Sequence, residues 1–150
     1  MSLAVVVSRF NQGLTKKLLA GAQEALAKCG VDRESAEVVW VPGSFELPLA
    51  AKWLAESGRY QAIVCLGCVL RGETSHFDYV AGQAATGIGR VELDTGVPIA
   101  FGVITADTLQ QAVERAGGSS GNKGFDAVLT AVRMANLKAE IARAEKEQGE

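Results

Sequence analysis

The sequence holds one histidine, three cysteines, three prolines and nine aromatic residues among 150, and each scarcity removes a class of chemistry. Cys65 and Cys68 match a C-x-x-C spacing only formally. Cys65 falls inside an apolar strand, no second cysteine pair exists and His76 stands alone, so both thiols read as small buried apolar groups rather than metal ligands or a redox pair. The longest apolar run, residues 62–70, contains a glycine and is about half the ~18 residues of a membrane span. The Met1 start has no basic region leading into an apolar secretory segment, so a cytoplasmic protein is expected, with no membrane partner. Fifteen basic against seventeen acidic residues leave a net charge of −2. No basic stripe or aromatic-interleaved Lys/Arg run accompanies them, which argues against nucleic acid as a partner. No Pro/Ser-rich stretch or composition break divides the chain. One domain over residues 1–150 is expected, long enough to bury ~70% of its unfolded surface.

What is present is an alternation of short apolar runs and helical periodicity. Residues 62–66 are apolar on both faces and bounded by Gly67, the pattern of a fully buried parallel strand. Residues 3–8 repeat it, followed by a helix whose apolar positions Leu14, Leu18, Ala22, Ala25, Leu26 and Cys29 keep a 3.6 period up to a left-handed stop at Gly30. Residues 37–41 form the next strand, stopped by Pro42. Ser44 is placed to cap a helix opened by Leu47, with Pro48 in its first turn and Leu49, Trp53 and Leu54 as its buried face. A helix over residues 77–93 has to tolerate Gly82, Gly87 and Gly89. Residues 98–105 make a fourth strand, and Asp107 or Thr108 caps a helix to Ala116. A last helix buries Phe125, Val128, Leu129 and Val132 and turns into a solvated polar tail from Lys138. These units predict an α/β fold: a three-layer αβα sandwich around a four-stranded parallel sheet with helices on both faces.

Ligands of such sheets bind beyond the carboxyl ends of the strands, which directs attention to residues 67–78. Gly72 frees the backbone there, Glu73 and Thr74 are polar, and Thr74 or Ser75 can cap a helix starting near His76, so that converging N–H groups suit an anion. Histidine is the side-chain type whose ordinary pKa, near ~6.5, lets it both give and accept a proton at neutral pH. A structural histidine and a proton-transferring one are both compatible with this position. Phe10, at the end of the first strand, is either a core plug or a stacking platform. Glu46 is either a partner of a helix dipole or an acceptor for ligand hydroxyls. Arg115, in the last turn of its helix, has the same ambiguity for a cation. Residues 117–124 are glycine-rich, but Lys123 is followed by Gly124 and no strand precedes the segment, so it is not a P-loop.

Taken together, Ser8-Arg9-Phe10-Asn11, Val41-Pro42-Gly43-Ser44-Phe45-Glu46, residues 67–78, Phe101-Gly102-Val103-Ile104-Thr105, Glu114-Arg115-Ala116-Gly117 and Gly121-Asn122-Lys123-Gly124 resemble the lumazine synthase family, in order and over nearly the whole chain. The resemblance implies a flavodoxin-like fold and condensation of 5-amino-6-(D-ribitylamino)uracil with 3,4-dihydroxy-2-butanone 4-phosphate to 6,7-dimethyl-8-ribityllumazine, with release of phosphate and water. It implies no metal or organic cofactor. By the resemblance Phe10 stacks on the pyrimidine, Ser44, Phe45 and Glu46 hold the ribityl chain, and Cys68, Val69 and Leu70 line the ring edge. Glu73 and Thr74 offer N–H groups to phosphate, His76 moves protons, Arg115 clamps phosphate and Lys123 lies close by. Phe101 and Arg115 are implied to arrive from a neighbouring subunit of a pentamer, which some members build into icosahedral shells of sixty subunits. Two departures bear on that assembly: the family's extra strand before the first long one has no counterpart ahead of Leu3, and the polar tail after Asn136 is longer. The competing reading is a shell or scaffold subunit of the same fold, engineered or shortened at its start, without the activity.

Overall fold

The computed structural model describes residues 1–149. Its central strand, β1 (Leu3–Ser8), is buried along its whole length. It pairs in parallel with β2 (Ala36–Val41) on one side and β3 (Ala62–Leu70) on the other, and β4 (Ile99–Ala106) adds to β3, giving the order β2-β1-β3-β4. A strand covered on both faces has no polar side to show, which is why β1 and β3 are apolar without alternation. Leu3, Val5 and Val7 join a core shared with Leu14 and Leu18 of α1 (Gln12–Lys28) and Ala127 and Val128 of α5 (Lys123–Gln148). Ala4 and Val6 join a second core with Leu47 and Ala51 of α2 (Leu47–Glu56) and Ile88 of α3 (His76–Thr95). The layers are therefore αβα, as expected.

Several boundaries and faces differ from expectation. β3 does not stop at Leu66: Gly67, Cys68, Val69 and Leu70 stay in register with Val103, Ile104, Thr105 and Ala106. The long β4 offers ladder partners that outweigh one glycine. In α2 the buried face is Leu47, Ala50, Ala51 and Ala55, while Leu49 and Trp53 point to solvent and Leu54 is only partly covered. Spacings of three and four residues carry that alanine face, and alanines let the helix lie close to the sheet. Ser44 does not cap α2. A 3₁₀ turn, Ser44–Glu46, leads into the helix, and neither segment has a side-chain capping bond. Of the four residues expected in the core of α5, Val128 alone is fully buried. Phe125, Leu129 and Val132 are partly covered, and Gly124, Ala127, Ala131 and Ala135 do most of the contact. Beyond Ala135 its described side chains are exposed, as expected of a solvated tail.

Ser75 takes the cap position of α3 without a side-chain bond, while the stop at Gly30 and the cap at Thr108 are present as expected. Gly30 has φ +74°; its N–H bonds Ala27 O at 3.1 Å and that of Val31 bonds Leu26 O at 2.9 Å, the paired contacts of a Schellman end. Thr108 and Gln111 form a reciprocal capping box on α4 (Leu109–Arg115). A small hairpin, β5 (Ala116–Gly118) and β6 (Gly121–Asn122), then feeds α5. The connection from β1 to β2 runs through α1 on one face and that from β2 to β3 through α2 on the other. β2 and β3 thus lie on opposite sides of β1, and the sheet is left with a crevice between the carboxyl ends of β1 and β3.

Candidate functional site

A cavity of about 440 Å³ occupies that crevice. Phe10 and Asn11 come from the turn after β1, residues 42–46 from the turn after β2, Cys68, Val69 and Leu70 from the end of β3, and His76, Phe77 and Val80 from the start of α3. Asn11 adopts the left-handed conformation, φ 59°, that asparagine tolerates better than most residues. Its side chain does not cap α1 but donates from Nδ2 to Cys68 O at 2.9 Å, tying the end of β1 to that of β3. The turn aims Phe10 outward, 67% exposed, and Phe45 is also exposed. Neither ring is a core plug, and both offer apolar surface for a planar ligand to cover.

The opposite wall is polar. Ser44 is buried against β3, and Glu46 folds back so that its Oε1 lies 3.3 Å from where a Cβ on Gly43 would stand. Deeper in the sheet, at the end of β1, Ser8 Oγ is buried with no partner among the described residues, while the Ser8 carbonyl accepts from Thr15 Oγ1 at 2.7 Å. Burial pushes the Cys68 thiol up to about 11 and the Cys65 thiol up to about 12. Both stay protonated at neutral pH, and Cys68 is an apolar wall rather than a nucleophile. Among the described residues no group of three His, Cys, Asp or Glu side chains is placed to hold a metal ion.

His76 opens α3 at the cavity rim. Its N–H donates to Thr74 Oγ1 at 3.3 Å, while Ser75 holds the cap position without a side-chain bond. No backbone acceptor among the described residues pairs with the N–H of Glu73 or Thr74, both exposed in the loop leading to the helix. Arg71 braces the root of that loop. Its Nε donates to Asp107 Oδ1 at 2.8 Å, and its guanidinium lies 4.5 Å from the Phe77 ring centre and 3.8 Å from Asp78 Oδ1. The bond to Asp107 holds the Arg71 proton more tightly than usual, against a smaller opposing desolvation. These contacts are exposed, so their importance is in geometry rather than stability.

Of the residues singled out in the sequence, Phe10, Ser44, Phe45, Glu46, Cys68, Val69, Leu70 and His76 meet in the cavity. Glu73 and Thr74 flank it without lining it. Phe101, Arg115 and Lys123 lie elsewhere. Phe101 sits on the edge strand β4, 38% exposed. Arg115 ends α4, its Nη1 donating to Gln111 O at 2.9 Å. The hairpin register pairs Ala116 with Asn122, so Arg115 and Lys123 stand next to opposite members of one ladder pair. Asn11, Pro42, Gly43, Phe77 and Val80 line the cavity without having been singled out. Their signal was position, since each shares a turn with a residue that was.

A model of the 6,7-dimethyl-8-ribityllumazine synthase family matches residues 1–139. The chain belongs to that family.

Proposed function

We propose that the chain is a transferase that condenses 5-amino-6-(D-ribitylamino)uracil with 3,4-dihydroxy-2-butanone 4-phosphate to 6,7-dimethyl-8-ribityllumazine, releasing phosphate and water. The observation that carries the reading is the convergence of an exposed aromatic ring, a polar turn and the only histidine on one cavity at the switch point of the sheet. Phe10 supplies the platform for the pyrimidine. Cys68, Val69 and Leu70 close its edge, and Ser44, Phe45 and Glu46 take the ribityl hydroxyls. The free N–H groups of Glu73 and Thr74, at the start of a twenty-residue helix, suit the phosphate.

The amine of the pyrimidine attacks the ketone and an imine forms with loss of water. Phosphate then leaves, and the second amine closes the ring with loss of a second water. Each step moves protons between groups already reactive toward one another, so alignment supplies much of the rate. His76, at the rim where the two substrates meet, gives and takes those protons.

Phe101, Arg115 and Lys123 act in this reading from a neighbouring copy, where Phe101 forms a second wall and the Arg115 fork and Lys123 face phosphate. A homo-oligomer of at least five copies fits the large apolar side chains left on α2 and α3, Trp53, Tyr79 and Leu93 among them. No described helix is long and apolar enough to cross a membrane, and the proposed location is the cytoplasm. Mixing the protein with both substrates tests the activity: lumazine absorbance and fluorescence should grow with time, and their absence would leave the scaffold reading.

A further inference from the structure

We infer that Gly67 is a positioning residue for the polar end of the cavity, and that it acts by having no side chain. The inference rests on the reading that Ser44, Phe45 and Glu46 hold a polyhydroxylated chain, and it names what fixes them in place. The turn carrying these residues has no side-chain cap at either helical segment. Its position is set by contact. A methyl group on Gly67 would stand 2.5 Å from Ser44 Oγ, 3.2 Å from Leu47 Cδ1 and 3.5 Å from Ser44 Cβ. From the α3 side, a methyl group on Gly87 would stand 2.7 Å from Pro48 Cγ and 2.8 Å from Pro48 Cβ. The turn is thus seated on Gly67 in β3, and the first turn of α2 that continues it is seated on Gly87 in α3.

The contact at Gly67 is with the one buried hydroxyl of the cavity wall. Ordinary contact begins at 3.4 Å, so a methyl group at position 67 forces Ser44 Oγ to give way, either by swinging the side chain or by lifting the turn. In both cases the hydroxyl leaves the place from which it meets the ligand. Ser44 Cβ, already at an ordinary distance, need not move. Gly67 and Ser44 therefore act as one unit, and losing either should cost the same interaction.

The test is a double-mutant cycle read through the two Michaelis constants. Gly67→Ala should raise KM for the ribitylaminouracil about tenfold, the ~1.4 kcal/mol of a neutral hydrogen bond, with kcat and KM for the phosphorylated butanone within about twofold. Ser44→Ala should do the same. The double variant should be no worse than Ser44→Ala alone, because the atom that clashed is gone. Additive losses, equal effects on both Michaelis constants, or a lowered melting temperature with unchanged KM would overturn the inference. A crystal structure of Gly67→Ala keeps the seat testable if the wild-type chain makes no lumazine and the proposed activity fails. Ser44 Oγ should be displaced by about 1 Å or more, and an unmoved Oγ would overturn the seat by itself.

Discussion

The two faces of the sheet are finished to different degrees. On the α1–α5 face the helices meet through glycine and alanine. A Cβ on Gly124 would run into the Leu18 backbone, one on Gly21 would run into the Asn122 side chain, and Asn122 Nδ2 donates to Lys17 O at 3.0 Å. Little of that contact could move without breaking it. On the α2–α3 face, α3 buries only Ala84 and Ile88 in twenty residues, while Trp53 and Tyr79 are 64% and 71% exposed and Leu93 84%. The cavity opens on this second face. Close packing by small residues joins the helices of one face, whereas α3 on the other face buries little of itself and leaves Trp53, Tyr79 and Leu93 uncovered, the most exposed of these being Leu93.

If that division is right, substitutions on the two faces should fail in different assays. The largest effect is expected from His76→Ala, a fall in kcat of ~10²- to 10⁴-fold with the melting temperature unchanged. A rate equal to wild type would remove His76 from the proton transfers. Next, Leu18→Ala on the closed face should cost ~2 to 5 kcal/mol in denaturant unfolding while activity per folded molecule persists. Preserved stability there would break the contrast. Arg115→Ala should raise KM for the phosphorylated substrate by the loss of ~1.5 to 3 kcal/mol and leave KM for the pyrimidine alone; equal effects on both contradict a phosphate clamp. An effect confined to alkaline pH comes from the buried thiols. Both have folded-state pKa values above the unfolded value of 9.0, at about 12 for Cys65 and about 11 for Cys68, so the unfolded chain loses their protons first. Their contribution is fully present below pH 9 and fades as pH rises toward 12. Cys65→Val should flatten that alkaline decline in urea midpoints. Smallest of all, Arg143→Ala on the exposed tail should stay within ~0.5 kcal/mol of wild type.

Strands and stops were legible because burial on both faces and left-handed turns leave marks on local composition, as residues 3–8 and Gly30 show. The faces of α2 and α5 were less legible. Leu49 and Trp53 drew the weight that belonged to Ala50, Ala51 and Ala55, since size is a poor guide to burial where a helix must lie close to a sheet. The end of β3 was hidden by Gly67, whose missing side chain looked like a loop signal and is instead the space into which Ser44 packs. Phe10, Ser44, Glu46 and His76 were each visible in their own turn, whereas Phe77 and Val80 were not. Their meeting depends on strand order and on the Asn11 bond to Cys68, which no local pattern encodes. Phe101, Arg115 and Lys123 lie away from this cavity, so only the resemblance could assign them to it.

Lys138 Nζ donates to Gly96 O at 2.9 Å, closing the carboxyl end of α3 with a cation from α5. Among the described residues it is also the last hydrogen bond from α5 to another element. Past it the helix continues through residues 139–148, roughly 15 Å at ~1.5 Å per residue, with its side chains exposed and Ile141 about half covered. Each residue turns the helix by about 100°, so probes placed at successive positions along this stretch would face successively different directions around one fixed axis.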